Sequence, residues 1–159
     1  MEMSAAFSLG RDLRDLDYTQ YGKPYYKNSD FNFNISHSGK YVVCAGSNQS
    51  PIGVDVEEIK PINIEDFREQ FHPDELKEII GSSNPLTSFY QFWTKKESVI
   101  KADGKGLSIP LNDLNLLVNS DGVKIDKVDW NIQEIHLEDD CICNIACQAC
   151  QGVVENNST

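Results

Sequence analysis

Ile52-Gly53-Val54-Asp55-Val56-Glu57 is a short β-branched run that carries two carboxylates two positions apart. Residues two apart in a strand point to the same face, so Val54 and Val56 read as core and Asp55 and Glu57 as neighbours on the opposite face. A sheet is expected here. Just upstream, Phe31, Phe33 and Ile35 alternate and Tyr41-Val42-Val43-Cys44-Ala45-Gly46 resumes the extended pattern. Between them Ser36-His37-Ser38-Gly39 reads as a polar turn, which predicts two neighbouring strands. Further back, Tyr21-Gly22-Lys23-Pro24-Tyr25 has the Gly and Pro of a turn between short extended pieces.

Beyond Pro61 the period changes. Helices are expected over Ile64 to Phe71, over Pro73 to Ile80 with Pro73 and Asp74 in its first turn, and over Leu86 to Lys101, which Gly104 and Gly106 would end. Strands are expected again at Leu114 to Val118, Gly122 to Ile125, Trp130 to Leu137 and Cys141 to Ala149, with Asp121-Gly122 as a hairpin turn and a fraying tail after Val154. The fold class is therefore α+β, with helices packed on a small, mainly antiparallel sheet.

The chain has 159 residues, 40% hydrophobic and 25% charged, enough for one ordinary core or two small subdomains. Asp and Glu number 25 against 14 Lys and Arg, and a formal charge of -11 sets the chain against phosphate backbones, so nucleic acid is not the expected partner. No apolar run approaches the roughly 18 residues that suggest a membrane span, and the N-terminus lacks the layout of a secretory signal. A cytoplasmic location without a membrane partner is expected.

Four of the five cysteines crowd into Cys141, Cys143, Cys147 and Cys150, with Cys44 far away. Thiolates in such a cluster suit zinc or an iron-sulfur centre. The same stretch also reads as one apolar strand that scatters its side chains over two faces, where free Cys acts as a small hydrophobe.

Three constellations could carry chemistry. Asp55 and Glu57 side by side invite a hard cation, and Mg²⁺ takes one or two carboxylates together with phosphate oxygens and water; a solvated acidic face is the plain alternative. In Trp93-Thr94-Lys95-Lys96-Glu97-Ser98-Val99-Ile100-Lys101, Glu97 and Lys101 stand four apart on one helix face, which is also the spacing of a surface ion pair. Ser36-His37-Ser38-Gly39 offers hydroxyls, an imidazole and backbone amides to an anion, although a turn histidine is often only solvated.

Taken in order, the three pieces resemble the 4'-phosphopantetheinyl transferases. They read Phe33-Asn34-Ile35-Ser36-His37-Ser38-Gly39, then Gly53-Val54-Asp55-Val56-Glu57, then Phe89 to Leu107 with Trp93, Thr94, Lys96, Glu97, Ser98, Lys101, Gly104 and Gly106. With Tyr21-Gly22-Lys23-Pro24 the resemblance spans roughly residues 18 to 118 and is strongest to the larger, pseudo-dimeric branch that activates peptide and polyketide synthetases.

The resemblance implies a holo-[acyl-carrier-protein] synthase type transferase that moves 4'-phosphopantetheine from coenzyme A to a serine of an apo acyl or peptidyl carrier protein with Mg²⁺, releasing 3',5'-ADP. It implies Asp55, Glu57 and Glu97 as metal ligands and Glu97 and Lys101 as catalytic groups. Lys23, Ser36, His37, Lys101 and Lys105 would hold coenzyme A. Residues 1–50 would be a remnant of an N-terminal subdomain with the nucleotide-binding turn, 51–152 the transferase subdomain with the metal site, and 153–159 a flexible tail. Relatives of the larger branch carry a fuller N-terminal half, for which Arg11 and Arg14 are the nearby substitutes for a 3'-phosphate contact. A site shared across a homo-oligomer is one way to complete the pocket. Lys95, Lys96, Lys101 and Lys105 form the densest basic group and would face an acidic carrier. The alternatives are a non-catalytic relative that binds coenzyme A or a carrier protein, and a thiol-metal protein organised by Cys141 to Cys150.

Overall fold

The computed structural model describes residues 13–117, 122–125 and 127–148. After a short 3₁₀ turn at Leu13–Asp15, a small hairpin pairs β1 (Leu16–Tyr18) with β2 (Pro24–Tyr26). Its turn is closed by the Gly22 amide on the Thr19 carbonyl, with Gly22 at φ +84°, the left-handed conformation for which a glycine is suited. A second hairpin pairs β3 (Asn32–Ser38) with β4 (Tyr41–Ser47). The main sheet has four strands in the order β5 (Ile52–Glu58), β8 (Cys141–Gln148), β7 (Val128–Glu134), β6 (Gly122–Ile125), every pairing antiparallel.

Two α-helices are described, the longer packed on that sheet and the shorter packed on the longer, as the α+β expectation has it. Helix α1 (Pro73–Gly81) starts with Pro73 after His72, whose ring accepts from the Asp74 amide while Glu75 reaches back to the His72 amide at 3.0 Å. Helix α2 (Pro85–Asp103) is capped by Asn84, which accepts from the Thr87 amide at 3.2 Å, and ends on Gly104 at φ +81°. It lies along β5 and β8. The contact is so close at Gly53 that a Cβ there would stand 2.1 Å from the Ser98 carbonyl oxygen and 2.3 Å from the Ala102 nitrogen.

Both faces of β5 are buried, and they do different work. Val54 and Val56 pack with Ala45, Cys141 and Cys143 beneath the β3–β4 hairpin. On the other face Asp55 sits opposite Asn144 of β8 and looks toward α2, where the Asn144 amide donates to Thr94 Oγ1 at 2.8 Å. A third cluster joins the 3₁₀ turn Ile64–Gln70 to the helices through edge and stacked contacts among Phe67, Phe71, Phe89 and Trp93.

Several expectations are corrected. The stretch from Leu114 to Leu117 is not a strand; after a 3₁₀ turn at Leu111–Asp113 its backbone groups are taken by a buried ion pair. Lys96 and Glu75, both wholly buried, meet at 2.6 Å. Lys96 also donates to the Leu111 and Leu114 carbonyls, each at 2.7 Å, and Glu75 accepts from the Leu116 amide at 2.8 Å. A backbone so engaged cannot join a ladder. Val118, Asp121, Ala149 and Cys150 lie outside the described residues. Gly122 opens β6, and Lys127, at φ +71°, stands directly before β7. The segment from Ile64 is 3₁₀, with none of its residues buried. Cys141, Cys143 and Cys147 are free thiols on one face of β8, not two, because their spacing is even; Cys141 and Cys143 serve as core packing.

Candidate active site

β5 is an edge strand: β8 takes one side, and the amides of Val54, Val56 and Glu58 point away from it. Side chains of β3 satisfy all three. Asn34 Oδ1 accepts from Val54 N at 2.9 Å, Ser36 Oγ from Val56 N at 3.2 Å and Ser38 Oγ from Glu58 N at 3.1 Å. This ladder requires an extended backbone, which is why Ser36-His37-Ser38 continues β3 and the turn comes only at Gly39–Lys40, contrary to the expectation of a turn at the serines. The glycine there is needed: Gly39 has φ +54°, and a Cβ on it would meet Glu58 Oε2 at 1.8 Å.

The same serines reach the carboxylates. Ser36 Oγ donates to Asp55 Oδ1 at 3.1 Å and Ser38 Oγ donates to Glu57 Oε2 at 2.8 Å. From α2, Lys101 Nζ donates to Asp55 Oδ1 at 2.5 Å and to Ser36 Oγ at 3.0 Å. The i,i+4 surface pairing foreseen for Glu97 and Lys101 gives way to this half-buried contact across elements. Asp55 is 3% exposed, and burial pushes its carboxyl up to about 6, opposed by Lys101 and reinforced by Glu57 and Glu97. Burial likewise raises Glu97, against the pull of Lys101 and with a push from Glu57. Three carboxylates thus feel one another around one lysine.

Their fit to a divalent cation rests on one atom in particular. Asp55 Oδ2 is buried and has no hydrogen-bond partner, an arrangement that costs free energy unless a positive group comes to it. Among the described residues no three Cys, His, Asp or Glu side chains are gathered tightly enough to cage a metal by themselves. Mg²⁺ does not need such a cage, since it binds through one or two carboxylates with water and phosphate oxygens filling the rest. Asp55, Glu57 and Glu97 fit that open, half-built site.

Beside them is a cleft of about 280 Å³, lined among others by Lys23, Ile35, Glu97, Lys101, Gly104 and Gly106. Lys23 closes one wall: its Nζ donates to the Ala102 carbonyl at 2.8 Å and the Ile52 carbonyl at 3.2 Å, and burial pulls its pKa down to about 8. It thereby ties the first turn to the end of α2 and the start of β5. Lys105 stands between Gly104 and Gly106 and is 3.6 Å from Asp103. His37 does not join Ser36: alternation sends its ring to the outer face of the hairpin, exposed beside Val42. Lys96 leaves the expected basic group altogether, because it is buried against Glu75. Arg11 lies outside the described residues, and Arg14 belongs to the Leu13–Asp15 turn, not the cleft. Residues 1–12, whose roles were expected within an N-terminal remnant, and the tail from 149 are likewise outside them.

Sequence reading missed Asn34 and Ser38 as site-shaping residues. The signal was present as a period-two row of small polar side chains, Asn34, Ser36 and Ser38, just upstream of a strand that turns out to be an edge.

A model of the 4'-phosphopantetheinyl transferase superfamily matches residues 51–145. The 4'-phosphopantetheinyl transferase Sfp of Bacillus subtilis (strain 168) is 42% identical over 116 residues, 70% of this chain and 51% of its own length. The 4'-phosphopantetheinyl transferase gsp of Aneurinibacillus migulanus is 45% identical over 95 residues, 58% of this chain and 39% of its own. The L-aminoadipate-semialdehyde dehydrogenase-phosphopantetheinyl transferase of Schizosaccharomyces pombe is 33% identical over 149 residues, 77% of this chain and 58% of its own. The chain thus spans about half the length of these relatives. Among solved structures, the holo-[acyl-carrier-protein] synthase (AcpS) of Thermotoga maritima aligns over 62% of each chain with a TM-score of 0.47 and 13% identity.

Proposed function

Because this chain belongs to the 4'-phosphopantetheinyl transferase superfamily, we propose that it transfers the 4'-phosphopantetheine arm of coenzyme A to a serine of an acyl or peptidyl carrier protein, dependent on Mg²⁺. The observation that carries this is the convergence of Asp55 and Glu57 with the cleft-lining Glu97 and Lys101, with Asp55 Oδ2 buried and unpartnered. When bound, Mg²⁺ would offset the negative charge of the pyrophosphate, held by Asp55, Glu57 and Glu97. Lys101 would stand beside the transferred phosphate, where an ammonium stabilises charge that grows during transfer.

Glu97 serves as general base in this proposal. Its proton affinity, raised by burial, favours it as the group that takes the carrier serine's proton. The serine oxygen then bonds to the β-phosphorus, the bond from that phosphorus to the bridging oxygen breaks, and 3',5'-ADP leaves with the electron pair. For the nucleotide, Lys23 is put forward at the cleft, Lys105 next to the cleft-lining Gly104 and Gly106, and Ser36 beside Lys101; His37 would meet the ligand only where it wraps over the outer face of β3. A homo-oligomer belongs to the same proposal, supported by the exposure of Val42 beside His37 on that outer face.

The test is to incubate the protein with coenzyme A, Mg²⁺ and a panel of apo acyl and peptidyl carriers, then weigh the carriers by mass spectrometry. A mass gain of one phosphopantetheine arm is expected, and which carriers gain it distinguishes the acyl-carrier subtype from a broader one. No gain on any carrier, with coenzyme A still raising the melting temperature, would replace the proposal by a non-catalytic binder.

A further inference from the structure

Three carboxylates lie almost consecutively on β5; two of them, Asp55 and Glu58, meet a lysine ammonium, and Glu57 meets a hydroxyl. Asp55 is held by the Lys101 ammonium and the Ser36 hydroxyl. Glu58 is turned the other way, to Lys60 at 2.8 Å. Glu57 receives the Ser38 hydroxyl at 2.8 Å. An ammonium partner neutralises a carboxylate as it orients it, whereas a neutral hydroxyl orients it and leaves its full charge for a cation.

Ser38 is itself locked in place. Its oxygen accepts from the Glu58 amide at 3.1 Å, and its backbone pairs with Tyr41 at the end of the β3–β4 ladder. With one lone pair so used, the hydroxyl proton is directed to Glu57 Oε2. A half-buried glutamate with three rotatable bonds is thereby narrowed to one orientation before any ligand arrives.

We propose, resting on the metal-dependent reading above, that Ser38 is a positioning residue: its hydroxyl presents the Glu57 carboxylate to the divalent cation, as the Ser36 hydroxyl presents Asp55. The amide contact of Ser38 secures the strand edge, and the carboxylate contact serves the site.

The test uses Mn²⁺ as the probe, titrated by electron paramagnetic resonance into the full chain with coenzyme A present. Ser38→Ala is expected to weaken Mn²⁺ binding about tenfold, the lower end for losing a group that orients a metal ligand. Ser38→Thr, which keeps the hydroxyl, is expected to restore it. In a Glu57→Gln background Ser38→Ala is expected to add no further loss, a result that a purely structural role would not give. Should Ser38→Ala not fold, Ser38→Cys fills the same space with a poor donor and carries the same expectation. Equal Mn²⁺ affinity of Ser38→Ala and the wild type, or a loss that persists in the Glu57→Gln background, would overturn the proposal alone. A wild-type chain that binds no Mn²⁺ with coenzyme A would overturn the metal reading and this proposal with it.

Discussion

Glu97 and Lys101 share one helix face, yet each is committed elsewhere: the lysine to Asp55 and Ser36, the glutamate to the cleft. Glu97→Gln removes one anion at nearly constant shape, so transfer is expected to fall on the order of a hundredfold while the thermal melt stays within a few degrees; a carrier-loading assay beside a melt checks both. Lys23 makes a prediction about pH. Its folded pKa, about 8, lies below its ordinary 10.5, so between those values the unfolded chain binds more protons than the folded one. Stability from this group is therefore missing below pH 8 and grows as pH rises toward 10.5. Denaturant melts across that range should show a gain of about 1 kcal/mol after allowance for partial solvent access, and Lys23→Met should flatten it. At this scale the motif residues were legible because their order and spacing are local. The partners of Lys101, Lys96 and Lys23 were not, since each is met from a distant part of the chain.

The seam between β5 and α2 positions the site, because the strand brings Asp55 and Glu57 and the helix brings Glu97 and Lys101. Gly53 lets them approach. Gly53→Ala drives a methyl into the Ser98 and Ala102 backbone, and a loss of about 3 kcal/mol is expected, measured by chemical denaturation. The second brace is the Glu75–Lys96 pair, which holds α1, α2 and the segment after Leu111 together. Glu75→Gln leaves a buried ammonium without its counter-charge, so a loss of roughly 3 kcal/mol is expected in the same measurement. Existence and type of the long elements were readable: β5 from its β-branched run, α2 from its helical period after Leu86 and from Gly104 at its end. The serine motif and the stretch after Leu114 were misread for one reason. In both, backbone amides or carbonyls bond to side chains remote in sequence, and a local pattern cannot show that.

The whole molecule carries a formal charge of -11, and the loss of Lys96 to the interior thins the basic group that was to offset it near the cleft. Against an acidic carrier protein, like charges slow encounter until salt screens them. A rise of a few-fold in kcat/KM for the carrier between roughly 20 and 200 mM salt is therefore expected; a steep fall would place a basic docking face where none is described. Light scattering tests the oligomer, and an active monomer would rule it out. No helix among the described residues is long and apolar enough to cross a membrane. By itself the sequence determined the α+β class, the strand and helix that bear the chemistry, and the transferase family, since these follow from periodicity, end signals and motif order along the chain. Tertiary structure alone decided which side of each residue faces what: Ser36 inward and His37 outward, Lys96 buried and Lys101 on Asp55, the serines as the missing edge of β5. Those choices depend on contacts between residues tens of positions apart, and only packing of the hairpin and helices against one strand brings them within hydrogen-bond reach.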